Sequence, residues 1–233
     1  DIDPKDIPAY DVLCAGFPCQ PFSNAGKHKG LDDKRGVLFL EIIRLMNVGK
    51  PKIVVLENVS GLKSHDNGQT FRIICEHVEN EGYTIHYKVL KCSDYGLPQM
   101  RKRLFMVCVR NDIKHDIDIF DLKEYEKEMT LSEYLNKNFQ KKHAYTIRCG
   151  GARSPITSKQ NWDGYFVDDK EYRLTIPDAK KLQGFDENFY LSDSKKNAWR
   201  YLGNTIPTRF TELIGFKVNA ILKSNEQSYQ NMD

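Results

Sequence analysis

The sequence predicts an α/β fold built on a parallel sheet. Two short apolar runs of β character, residues 12–15 and 53–56, are each cut off by glycine or by polar residues. An amphipathic helical stretch lies between them, residues 36–48, with Leu38, Ile42, Leu45 and Met46 on one face. Strand, helix, strand in that order reads as a right-handed βαβ unit.

Composition narrows the class. A chain of 233 residues, 40% hydrophobic and 29% charged, suits one large globular domain or a large one with a small one. No apolar run approaches the roughly 20 residues of a membrane span. The opening Asp1-Ile2-Asp3-Pro4 has no basic-then-apolar leader. Six cysteines without framework spacing point to a reducing, cytoplasmic compartment. Net charge is only +3, but Tyr134 to Trp162 contains no Asp or Glu while holding Lys137, Lys141, Lys142, Arg148, Arg153 and Lys159. Such a stretch is either a solvated basic face or a phosphate-contacting surface.

In chain order, the first strand reads as buried and ends at Gly16, and Cys19 follows it between Pro18 and Pro21. Ligands of open α/β sheets bind just beyond such strand ends. Cys14, Cys75 and Cys108 sit inside apolar periodic segments and read as small buried hydrophobes. Cys19 does not. A zinc deaminase would need Pro-Cys-x-x-Cys with an upstream His-x-Glu, and neither is present. Cys19 therefore reads as a nucleophile. Residues 24–35 form a polar loop with Gly26 and Gly30 as hinges. The second strand ends at Glu57-Asn58-Val59, which places Glu57 on the same sheet edge as Cys19, as a cap or as a functional acid.

Residues 68–81 read as a helix with Phe71, Ile74, Cys75 and Val78 on one face, ended by Gly82. Residues 83–90 alternate as a strand, and 104–109 form another after Gln99-Met100-Arg101-Lys102-Arg103. If that segment is extended, Arg101 and Arg103 share a face and want an anion between them. The α/β pattern breaks over residues 111–171. A helix over 178–182 precedes Gln183-Gly184-Phe185, and Gly203-Asn204-Thr205-Ile206-Pro207 enters a last helix with Phe210, Leu213, Ile214 and Ile221 on one face.

Taken in order, the Cys19 loop (Gly16 to Ser23), Glu57-Asn58-Val59, Gln99-x-Arg101-x-Arg103, Arg173-Leu174-Thr175 with Gln183-Gly184-Phe185, and Gly203-Asn204-Thr205 resemble the motifs of the DNA (cytosine-5)-methyltransferases. The resemblance is closest to the bacterial restriction-modification members. It implies a Rossmann-like methyltransferase sheet, truncated at its amino-terminal part, with a small target-recognition domain inserted before the C-terminal helix. The implied domains are 1–110 (partial catalytic), 111–171 (target recognition) and 172–233 (return to the catalytic domain).

The resemblance implies transfer of a methyl group from S-adenosylmethionine to carbon 5 of a flipped-out cytosine in double-stranded DNA. Cys19 would add to carbon 6, Glu57 would act as acid at nitrogen 3, and Arg101 and Arg103 would stabilise the developing charge. Nearby arginines would also lower the Cys19 thiol pKa. Phe17, Pro18, Gly36, Leu38, Asn204 and Thr205 become cofactor neighbours. Gln20, Ser23, Asn58, Gln99, Arg148 and Arg153 become substrate contacts, with Arg148 and Arg153 as guanine readers.

The family's glycine-rich loop and ribose-holding acid have no counterpart here. The expectation is accordingly of a fragment or one half of a split enzyme, with a companion chain supplying those motifs and with weak cofactor binding by this chain alone. No metal is implied. Two other readings stay open: a non-catalytic DNA-binding subunit, and a cytosine-5 methyltransferase of tRNA. A cysteine hydrolase is disfavoured, since none of the six histidines has the context of a base.

Overall fold

In the computed structural model, residues 2–18, 36–150 and 153–230 are described. The chain divides into two compact units: Asp1–Val89 with Arg103–Asp121 and Phe216–Asp233, and Leu90–Lys102 with Leu122–Gly215. The second unit is larger than the recognition interval expected from the sequence. Leu174, Ala179, Leu182 and Leu202 share one apolar core with Leu131, Phe139, Ile147 and Trp162, so residues on both sides of position 171 fold together.

The first unit is organised by a four-stranded sheet of order β1-β2-β4-β3, made from β1 (Val12–Gly16), β2 (Ile53–Val59), β3 (Tyr83–Lys91) and β4 (Lys102–Arg110). Helix α1 (Gly36–Gly49) connects β1 to β2, and these strands pair in parallel, Val12 opposite Ile53 through Gly16 opposite Glu57. β4 runs antiparallel to β2, from Ile53 opposite Val109 to Val59 opposite Arg103. Leu104 to Val109 are buried on both faces, as a central strand requires. Phe39, Met46, Val54, Leu56, Ile74, Val78 and Met106 form the core, with α2 (Gln69–Asn80) contributing Ile74 and Val78. Gly82, at φ +86°, ends α2 in the left-handed conformation that a side chain would resist.

β1 corrects one expectation. It is the edge strand, its residues are half-buried or exposed, and Cys14 is exposed. Leu13 and Ala15 still pack against the core, while the alternate positions Cys14 and Gly16 are left in water. Cys108, in central β4, is buried as expected, and Cys75 is half-buried.

The second unit holds α3 (Leu131–Leu135), the hairpin of β5 (Gly164–Val167) and β6 (Lys170–Arg173), α4 (Ile176–Leu182) and α5 (Lys195–Asn204). Thr175 caps α4, and its side chain and backbone meet the Asp178 carboxylate in a reciprocal capping box. The long helix α6 (Thr208–Gln230) buries Phe210, Ile214, Val218 and Ile221 at helical spacing; of the residues expected on that face, Leu213 is half-buried. Among the described residues no helix is long and apolar enough to cross a membrane.

Candidate active site

Glu57 and Arg103 meet because of strand direction. β2 carries Glu57 toward the carboxyl edge of the parallel pair, and β4, antiparallel, begins there. Arg103 lies opposite Val59, so Glu57 is its diagonal neighbour on the same sheet face, within reach of long side chains. Arg103 Nε stands 2.7 Å from Glu57 Oε1, with side-chain exposures of 13% and 17%. The pair is partly desolvated yet reachable. On the other side of Glu57, register places Gly16, whose missing Cβ would stand 3.4 Å from Glu57 Oε2. Glu57 thus sits between the end of β1 and the start of β4, inside the strand rather than just beyond it.

The root of the Cys19 loop is fixed from the same edge. The buried Asn58 amide donates to the Phe17 carbonyl (2.8 Å) and its oxygen accepts from the Val59 N–H (2.9 Å). Both ends of Asn58 are therefore satisfied by the protein. Phe17 is buried, with its ring 5.3 Å from that of Phe39, while Pro18 and Leu38 are exposed. Cys19, Gln20 and Ser23 lie outside the described residues. Cys75 and Cys108 are poorly placed as nucleophiles. Burial, with Glu79 and Glu76 adding to it, pushes Cys75 up to about 11, and burial pushes Cys108 higher still.

In the second unit Arg101 is fully buried and its guanidinium goes to backbone carbonyls: Ile147 (3.0 Å), Gly203 (3.0 Å) and Thr205 (2.6 Å). The expectation that Arg101 and Arg103 share one anion is not met, because the two go to different partners. Arg101 precedes β4, which starts at Lys102, so strand alternation does not govern where it points. Gln99, expected at the substrate, is also fully buried: its amide donates to the Leu182 carbonyl (2.9 Å) and its oxygen accepts from the Ile147 N–H (3.2 Å). Gln183 joins this network through the Leu202 carbonyl (2.6 Å).

Asn204 is exposed and Thr205 half-buried. The expected recognition residues Arg148 and Arg153 are both exposed. Arg153 has φ +67°, and its N–H is held by both carboxylate oxygens of buried Asp163 at 3.1 Å. Asp163 also accepts from Arg173 (3.1 Å), and Trp162 donates to the Gly150 carbonyl (2.8 Å). Arg173 and Gln183 entered the sequence reading only as members of a motif and not as site residues, and no local spacing marks Asp163.

Residues 1–165 match the profile described as C-5 cytosine-specific DNA methylase. The chain belongs to that family. The enzyme is 34% identical to the type II methyltransferase M.NlaX of Neisseria lactamica, over 95% of this chain and 80% of that one. It is 31% identical to M.HhaI of Haemophilus parahaemolyticus, over 95% and 79%. Among solved structures, a DNA modification methyltransferase described as putative and encoded in an Escherichia coli prophage superposes with TM-score 0.69 at 19% identity, covering 94% of this chain and 81% of that one. That likeness supports the Rossmann-like methyltransferase fold.

Proposed function

We propose that the enzyme methylates carbon 5 of a cytosine flipped out of duplex DNA, with S-adenosylmethionine as donor and Cys19 as nucleophile. The observation that carries this is the Glu57–Arg103 pair at 2.7 Å on the sheet edge where β1 runs into the Cys19 loop. The Cys19 thiolate adds to carbon 6 of the base as Glu57 delivers a proton to nitrogen 3, which leaves carbon 5 electron-rich. Arg103 holds Glu57 in place and stabilises charge developing on the base. After methylation a base takes the carbon-5 proton, Cys19 leaves as the thiolate, and nitrogen 3 returns its proton to Glu57, which restores the ring. Asn58, Gln99 and Arg101 are positioning residues in this reading, because their polar atoms are bound to backbone.

S-adenosylmethionine, when bound, supplies an electrophilic methyl group. Leu38, half exposed on the first turn of α1 although apolar, and exposed Pro18 at the end of β1 fit its apolar parts. The edge position of β1 leaves room for a further strand bearing the glycine-rich cofactor loop. Residues 111–171 are assigned to target recognition, with Arg153 as the guanine reader.

Trapping on duplex DNA carrying 5-fluorocytosine tests the reading. With S-adenosylmethionine, and with the amino-terminal cofactor motifs supplied, a covalent band stable to denaturation is expected, and Cys19→Ser abolishes it. A band that survives Cys19→Ser, or none at all, overturns it.

A further inference from the structure

Two acid-free stretches of the sequence come together on the second unit. One is residues 134–162; the other is α5, whose Lys195 to Asn204 contain Lys195, Lys196 and Arg200 and no carboxylate. They meet at Gly203, where an added Cβ would stand 2.3 Å from Cys149 N, 2.5 Å from Arg148 C and 2.9 Å from Arg148 O. Only glycine permits that approach. Helix α5 turns Ala198 and Leu202 into the core, and its Trp199 ring meets Trp162 at 5.4 Å. The opposite stripe, Lys196, Arg200 and Asn204 at four-residue spacing, is exposed. Arg148 and Cys149 are exposed beside it, and Cys149 Sγ lies 2.7 Å from Asn204 Oδ1.

We infer that Arg148 and Arg200 form a contact surface for the phosphodiester backbone of duplex DNA, an assignment that rests on the duplex substrate proposed above. Neither guanidinium has an ion pair among the described residues, whereas Arg173 and Arg209 of the same unit both do. The Arg200 guanidinium instead lies over the Tyr201 ring, 5.3 Å from its centroid, which orients it without neutralising it. Two uncompensated guanidiniums on neighbouring acid-free segments suit phosphate, which takes the planar fork two oxygens at a time. This makes Arg148 a backbone contact, and leaves base reading to the Arg153 turn that Asp163 holds.

The test is binding of the whole chain to a fluorescent duplex of arbitrary sequence, titrated over a range of salt concentrations. Each phosphate contact contributes about 0.9 to the slope of log affinity against log salt. Arg148→Ala with Arg200→Ala should lower that slope by about 2 and weaken binding by roughly fivefold or more, equally on unrelated sequences. Arg148→Lys with Arg200→Lys should keep the slope. Unchanged melting of each variant establishes that the fold is intact. A wild-type slope in the alanine variant refutes the surface and leaves the duplex reading standing, as does a loss confined to one sequence. Failure of the wild-type chain to bind duplex overturns both.

Discussion

Replacing Arg101 and Arg103 separately tests whether two arginines of one motif do different work. Arg101 makes three hydrogen bonds to carbonyls, at 3.0, 3.0 and 2.6 Å, from a fully buried position. A bond from a charged donor contributes about 1.5–3 kcal/mol, but the three are not additive, since one cavity and one desolvation are shared. Arg101→Ala should therefore cost about 3–5 kcal/mol, the range seen when a buried charged group loses or strands its partners. For a chain of this size that is roughly 6–20 °C in Tm. Arg103→Ala leaves Glu57 without its partner at 2.7 Å, but both side chains reach solvent, so about 1–2 kcal/mol is expected. Its main effect should be on adduct formation, slowed on the order of 10²-fold.

The assay is available within the molecule. Both tryptophans belong to the second unit, buried Trp162 meeting half-buried Trp199 edge to face at its core, so their fluorescence follows the unit that Arg101 holds. Arg101→Ala should melt early by tryptophan emission, and Arg101→Lys should recover part of the loss, lacking the fork to reach three carbonyls. Arg101→Ala melting within about 2 °C of wild type while losing adduct formation would refute the reasoning, because the residue would then act on the chemistry and not on the scaffold.

Three further outcomes follow from single contacts. Gly203→Ala must displace the Arg148–Cys149 backbone, which no rotamer can relieve, and should cost about 3 kcal/mol or more, measured by denaturant unfolding. Asp178→Asn should lower stability by about 1–2 kcal/mol at neutral pH. Burial pushes the Asp178 carboxyl up, but bonds from Tyr172 and Thr175 outweigh it and leave it below its ordinary value. A depressed carboxyl stabilises above its unfolded pKa, so the gap between Asp178→Asn and wild type should close as pH falls below about 4. Brief alkylation followed by peptide mass spectrometry should label exposed Cys149 and spare buried Cys92 and Cys108 until the protein unfolds.

The βαβ unit was legible because its strands and helix carry distinct periods, and α1, β2, α2 and β4 begin and end within a few residues of where glycines and polar breaks put them. The Glu57–Arg103 meeting was legible only in part. Sequence brings both residues to the sheet, but their contact depends on β4 running antiparallel to β2, and no local pattern encodes strand direction. Exposure of β1 was hidden for a related reason. Apolar composition reports what a strand can bury, whereas its place at the edge is a property of the whole sheet.

The polar residues of the motifs show what spacing leaves undecided. Asn58, Gln99, Arg101 and Gln183 lie in the family's motifs, and each turns inward to backbone groups of a loop or helix end. Such ends expose carbonyls that have no partner within their own helix, and burying them demands a donor from elsewhere. A side chain with several donors and a short path to the core meets that demand, and so the motif positions nearest the sheet become scaffold. Glu57 and Arg103 differ in one measurable respect: they remain 17% and 13% exposed while bonded to each other. A charge pair that keeps a face to solvent can exchange its partner for a base; a guanidinium sealed on three carbonyls cannot, and that difference of burial separates positions that the motif treats alike.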